Sequence, residues 1–159
     1  MKPKVIQGEL KNRGYKIAVV VSRFNEFITT RLLDGCLKEL SRLGIKEKDV
    51  TVAWVPGSFE IPLAAMKFSK QPSIRVCICL GAVIRGETLH FDLVAHAAAD
   101  GIAKVTLQTG KPVIFGVITT NTVNQAYKRS QPRGDNKGRD VARAAVEMAD
   151  VLTKISRRN

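Results

Sequence analysis

The stretch Gly81-Ala82-Val83-Ile84-Arg85-Gly86-Glu87-Thr88-Leu89-His90-Phe91-Asp92 gathers more chemically able groups than any other part of the chain. It comes close to the phosphate-loop spacing G-x-x-x-x-G-K-[ST], with Gly81, Gly86 and Thr88 in place. Glu87 stands where that motif needs lysine, and a carboxylate there reverses the charge meant for the β- and γ-phosphates. ATP hydrolysis is therefore a poor reading. A more general property survives: a glycine-containing loop running into a helix offers backbone N–H groups to an anion. The Thr88 hydroxyl adds a donor. His90 follows at once, and imidazole is the side chain best suited to proton transfer near neutral pH. A lone histidine is usually structural or merely exposed; a place beside an anion-binding loop is what sets this one apart. His96 lies six residues on, which puts the two imidazoles on different helix faces and argues against a shared metal. Asp92 is not spaced as an obvious partner for His90, and no G-x-S-x-G nucleophile motif occurs.

Three further segments carry candidate groups. Ser22-Arg23-Phe24-Asn25-Glu26 places an aromatic where a polar helix cap should begin. Phe24 reads either as a buried staple or as a flat surface for a planar ring. Asn25 reads first as a helix cap. Val55-Pro56-Gly57-Ser58-Phe59-Glu60-Ile61-Pro62 sets a lone acid between apolar neighbours. Glu60 is either an exposed first-turn acid favoured by the helix dipole or an acceptor for the hydroxyls of a polyol. Gly57 lets a ligand approach the backbone. Farther on, Phe115 reads as core. Arg129, Arg133 and Lys137 flank a glycine-containing loop; they are ordinary surface charge or, for arginine, partners of a phosphate.

The elements that must position these groups alternate strand and helix. Tyr15–Ser22 is a continuous apolar, β-branched run, as in a strand covered on both faces. Ile28, Leu32, Leu33, Cys36, Leu37 and Leu40 follow at helical spacing, with Gly44 as a stop. Val50–Val55 is the next strand. Pro62 opens a helix to about Lys70, and Ile74–Ala82 is the third strand. A helix from about His90 to Gln108 precedes a fourth strand, Pro112–Thr119. Thr122 caps a short helix to about Arg129, and a last helix runs from about Gly138 to Ile155. This order implies a parallel sheet with helices on both faces, and ligands in such sheets bind beyond the carboxyl ends of the strands. Those ends fall after Val21, Val55, Ala82 and Val117. Val5–Leu10 reads as an extra strand outside the alternation, suited to a neighbouring subunit's sheet edge.

The chain has 159 residues, enough for one domain with one core, residues 1–13 forming an N-terminal arm. No apolar stretch is long enough for a bilayer, and no apolar region follows the basic start, so a cytoplasmic location without membrane attachment is expected. Cys36, Cys77 and Cys79 make an odd count that argues against a disulfide framework. The net charge is +12, and most of the excess sits in residues 1–17 and 128–159. Such basicity suits nucleic acid or small anions. The charges are scattered, aromatic content is 6%, and no zinc-finger or RNP signature occurs, so a nucleic-acid partner is not expected.

SRFNEFIT (22–29), VPGSFEIP (55–62), GAVIRGETLHFD (81–92), FGVITTNT (115–122) and NKG (136–138) together resemble the lumazine synthase family in sequence, order and separation, over nearly the whole chain. The pairing of VPG-x-x-E-[IL]-P with GxxIRGxTxHxD is highly specific. The resemblance implies a flavodoxin-like three-layer α/β/α sandwich with a central four-stranded parallel sheet. It implies condensation of 5-amino-6-(D-ribitylamino)uracil with 3,4-dihydroxy-2-butanone 4-phosphate, the penultimate step of riboflavin biosynthesis, with no cofactor and no metal. Phe24 would stack on the pyrimidine. Asn25, Gly57, Ser58, Phe59 and Glu60 would line the ribityl and ring pocket, with Ala82, Val83 and Ile84 beside the ring. Gly86, Glu87 and Thr88 would hold the phosphate, mainly through backbone N–H groups, and His90 would transfer protons. The family's sites lie between subunits of a homopentamer, so Phe115, Arg129 and Lys137 would come from the neighbour. One departure touches assembly: where many relatives have G-T-K-x-G-N, this chain has Gln131-Pro132-Arg133-Gly134-Asp135-Asn136. A free pentamer, a decamer and a sixty-subunit shell, the last able to enclose riboflavin synthase, all stay open.

Overall fold

The computed structural model describes residues 1–157. Its strands are β1 (Ile17–Ser22), β2 (Val50–Val55), β3 (Val76–Ile84) and β4 (Val113–Thr120). Its α-helices are α1 (Glu26–Arg42), α2 (Ile61–Ser69), α3 (His90–Thr109), α4 (Val123–Lys128) and α5 (Lys137–Ser156). All four strands are parallel, in the order β2-β1-β3-β4. The chain thus winds outward from β1 to β2, then crosses back over β1 to β3. That reversal leaves a crevice at the carboxyl ends of β1 and β3, where the loops part in opposite directions.

The two apolar runs recognised in the sequence form the two central strands. Every residue of β1 is buried, as is β3 up to Val83. Alternate residues feed two cores. Ile17, Val19 and Val21 pack with Ile78 and Leu80 against α1 and α5, while Ala18, Val20, Cys77 and Cys79 pack against α2 and α3. The result is the expected three-layer sandwich. β3 runs two residues farther than its apolar pattern suggests, because Val83 and Ile84 pair with Thr119 and Thr120 of β4. The thiols of Cys36, Cys77 and Cys79 are all free and buried. Burial pushes the Cys36 thiol up to about 12, and a hydrogen bond with Cys77, together with burial, raises Cys79 well above the usual thiol range.

Helices α1 and α5 touch backbone to backbone. A Cβ on Gly138 would run into the carbonyl oxygen of Leu32, and one on Gly35 into the Asn136 side chain. Asn136 caps α5 by accepting from Arg139 N, and its amide donates to the carbonyls of Arg31 and Gln131 at 3.2 and 3.1 Å. Between the same helices, buried Glu39 accepts from Arg42 Nη2 and Arg143 Nε, both at 2.6 Å. The Arg42 hydrogen bonds, then those from Arg143, hold the Glu39 carboxyl down to about 2. A carboxylate held below its unfolded value stabilises the fold above that value and loses the contribution as pH falls through the folded one. Glu39→Gln is therefore expected to cost about 1 kcal/mol at neutral pH, the arginine ends being half exposed. In urea titrations at stepped pH, the gap to wild type should close between the ordinary 4.5 and about 2.

The N-terminal segment pairs with no strand of its own chain; the expected pairing is with the sheet edge of a neighbouring subunit. Residues 1–16 enter no strand; the arm lies on α5, with Gly8 close against Glu147 and Val151. Glu9 N donates to Asp150 Oδ2 at 2.8 Å, and Lys154 Nζ donates to Gln7 O at 2.8 Å. Asp150 is wholly buried and accepts from Lys154 and Arg13, which hold its carboxyl far below the usual carboxylate range.

Candidate active site

Three strand-end loops are fastened to one another. Arg23 N and Phe24 N donate to Val55 O and Pro56 O at 2.8 and 3.0 Å, joining the loops after β1 and β2. Asn25 Nδ2 donates to Ala82 O at 2.8 Å, joining β1 to β3. This corrects the expected cap. Asn25 occupies the position before α1, but in the left-handed region (φ 59°) and without a side-chain cap bond. Asparagine tolerates that region better than most residues, and its amide is spent on the tertiary bond.

Between these loops lies a crevice of about 640 Å³. Phe24 and Phe59 form aromatic walls and are 71% and 63% exposed, so Phe24 is no buried staple. Ala82, Val83 and Ile84 line the crevice from β3, and Gly57, Ser58 and Glu60 from the turn into α2. Gly86, Thr88 and His90 complete it on the α3 side. His90 is the first residue of α3, a helix of 20 residues, and the Thr88 hydroxyl accepts from its backbone N–H at 3.4 Å. The first turn of such a helix has N–H groups without carbonyl partners and carries partial positive charge. One crevice therefore holds an aromatic platform, an anion-seeking turn and an imidazole.

Two of the candidate residues do not line it. The Asn25 amide is committed to Ala82, and Glu87 is exposed outside the crevice. Three others stand elsewhere. Phe115, Arg129 and Lys137 line a second cleft of about 470 Å³, with Gln125 and Lys128, on the β4 side. Phe115 is 45% exposed there, contrary to its reading as core. The β4 edge strand has no neighbour beyond it to cover the ring. Arg129 follows α4 directly, 3.9 Å from Asp135, and Lys137 pairs with Asp140 at 3.4 Å. Sequence reasoning missed Phe91 and Val94, which line the crevice from the start of α3. Apolar residues in a helical pattern read as core; both are half-buried against it, and only the tertiary placement of that turn brings them to the crevice wall.

Among the described residues no group of three or more His, Cys, Asp or Glu side chains is gathered as a metal ion would need. The His96 ring nitrogen faces Asp92 O at 2.7 Å, turned to its own helix. No described helix is long and apolar enough to cross a membrane.

Residues 14–153 match the family model described as 6,7-dimethyl-8-ribityllumazine synthase. The chain is also 51% identical over 150 residues to the 6,7-dimethyl-8-ribityllumazine synthase of Desulfotalea psychrophila, covering 94% of this chain and 97% of that relative.

Proposed function

The chain belongs to the 6,7-dimethyl-8-ribityllumazine synthase family, and from that premise we propose that its crevice condenses 5-amino-6-(D-ribitylamino)uracil with 3,4-dihydroxy-2-butanone 4-phosphate. The products are 6,7-dimethyl-8-ribityllumazine, phosphate and water, the penultimate step of riboflavin biosynthesis. The observation that carries this reading is the convergence of Phe24, the Gly86–Thr88 turn and His90 on one cavity.

The substrates supply both nucleophile and electrophile, so the protein needs no covalent residue. The pyrimidine lies on Phe24, and Glu60 accepts from ribityl hydroxyls. The phosphate sits on the N–H groups of Gly86, Glu87 and Thr88, where the outward Glu87 side chain does not oppose it. Asn25 serves by holding the β1 loop to β3. The ring amine attacks the ketone, and water leaves to give an imine. Loss of a proton from carbon then expels phosphate, and the second amine closes the ring with loss of a further water. His90 moves the protons. Mixing the two substrates with the protein and following lumazine absorbance tests the assignment. Lumazine formation well above the protein-free rate is expected, and binding of the pyrimidine without turnover would overturn it.

Phe115, Arg129 and Lys137 complete the crevice of the next subunit in a ring, in our reading a homopentamer. Two different patches on one chain, each partly furnished, are what a head-to-tail ring requires. The outer face of α2 and α3 also exposes Leu63, Leu93 and Leu107, an apolar surface suited to a neighbouring copy. Riboflavin synthase, which consumes the lumazine, is the partner we assign to a closed shell, and the cytoplasm is the place of action. Size-exclusion chromatography with light scattering measures the assembly. Arg129→Ala should raise the KM for the phosphorylated substrate about tenfold or more, the value of one charge-assisted hydrogen bond, with kcat little changed. An unchanged KM removes Arg129 from the site.

A further inference from the structure

Arg85 stands at the end of β3, outside the lining of either cleft, and holds four partners: Thr120, Asn121, Asp92 and Phe91. Its backbone N–H donates to Thr120 O at 2.9 Å, carrying the β3–β4 ladder one step beyond the strand. Its side chain then divides three ways. Nε donates to Asn121 Oδ1 at 3.0 Å. Nη1 lies 3.5 Å from Asp92 Oδ2. The guanidinium carbon sits over the Phe91 ring, 4.3 Å from its centroid. A planar fork with a flat cationic face can satisfy all three directions together; an ammonium cannot.

Each contact bears on the phosphate end of the crevice. Asp92 is the acid in the first turn of α3, where its charge opposes any anion held by the Gly86–Thr88 turn. Arg85 sets a positive charge against it. Phe91 lines the crevice beside His90, and the guanidinium fixes its ring from outside. Asn121 opens the turn into α4. There Gln125 Oε1 accepts from Asn121 N at 2.8 Å and from Thr122 N at 3.2 Å, closing the helix's capping box. Gln125 lines the second cleft, and Arg129 lies one turn beyond it.

We infer that Arg85 is a positioning residue for the phosphate end of the site: it offsets Asp92, steadies the wall beside His90, and ties the anion turn to the start of the helix that leads to Arg129. The inference rests on the phosphate reading of the Gly86–Thr88 turn. It also explains why Asp92, unsuited by spacing to orient His90, stands in the first turn at all: its partner is Arg85.

The test compares wild type, Arg85→Met and the double variant Arg85→Met/Asp92→Asn. Arg85→Met should raise the KM for the butanone phosphate, and the inhibition constant of inorganic phosphate, about tenfold. The KM for the pyrimidine should stay within twofold. Removing Asp92 as well should recover phosphate affinity to within about threefold of wild type, which a merely structural arginine would not allow. Equal rises in both KM values, or no recovery in the double variant, overturn the inference. If Arg85→Met does not fold, Asn121→Ala cuts one branch alone and should raise the phosphate KM about threefold; no rise overturns it. If the wild type makes no lumazine, the functional reading fails separately. Calorimetric binding of inorganic phosphate then still decides, since equal affinity in wild type and Arg85→Met refutes the role.

Discussion

Gly138→Ala is expected to destabilise the protein by about 3 kcal/mol or more, the upper end of overpacking costs. The added methyl would meet the carbonyl carbon and oxygen of Leu32 and the Asn136 side chain, and none of these is the loose end of a flexible chain. The helices must separate to admit it. Separation also breaks the bond from Asn136 Nδ2 to Arg31 O and loosens the cap of α5. For a chain of this size that cost lowers Tm by roughly 6–12 °C. Differential scanning calorimetry measures it directly, with Gly86→Ala as the comparison. Nothing lies within 4 Å of a Cβ at Gly86, so that variant should keep the wild-type Tm within about 2 °C, as expected for a site without a clash. Equal melting of the two proteins would refute the close helix contact.

His90→Ala carries the largest expected kinetic effect. Loss of a positioned acid–base group typically costs about 10²–10⁴-fold in rate. The loss should fall on kcat, because the proposed site assigns the phosphate and pyrimidine contacts to other residues. It should not be total. Holding two reactants in a productive geometry is worth roughly 7–11 kcal/mol in well-oriented systems, and the crevice keeps that ability without the imidazole. The side chain is exposed, so the fold should be unaffected. Steady-state lumazine formation, compared with the protein-free mixture, decides. Activity falling to the uncatalysed rate would mean that proton transfer rather than orientation dominates, and activity near wild type would remove His90 from the chemistry.

Much of this arrangement is legible in the chain before any coordinates. The runs 17–21 and 76–80 are apolar on both alternations, as a covered central strand requires. Gly44 does end its helix in the left-handed region, at φ 84°. The Thr122 cap is present with its Gln125 counterpart. What escaped depends on contacts distant in sequence. Asn25 carries the local signature of a cap, yet a carbonyl 57 positions away claims its amide. The two readings of Phe24 differ only in what lies around the ring, and no spacing encodes that. The division of the candidate residues between two clefts is expected from the family resemblance alone; residue spacing does not encode it, because it follows from β4 lying at the sheet's margin. Gly138 is the sharpest case. In sequence it is a flexible residue beside a loop, whereas in the fold it is a rigid helical position with no room for a methyl.

The buried sulfurs have a consequence for the protein's surroundings. Cys77 and Cys79 sit in the middle strand layer facing the core under α2 and α3, and Cys36 faces the opposite core from α1. Oxidants and thiol reagents act on the thiolate, and both burial and the raised Cys36 and Cys79 proton affinities keep that form scarce. Peroxide or glutathione disulfide thus finds no foothold until the layers part. The folded molecule shields its thiols from the surrounding redox poise, and their chemistry begins only where its structure ends.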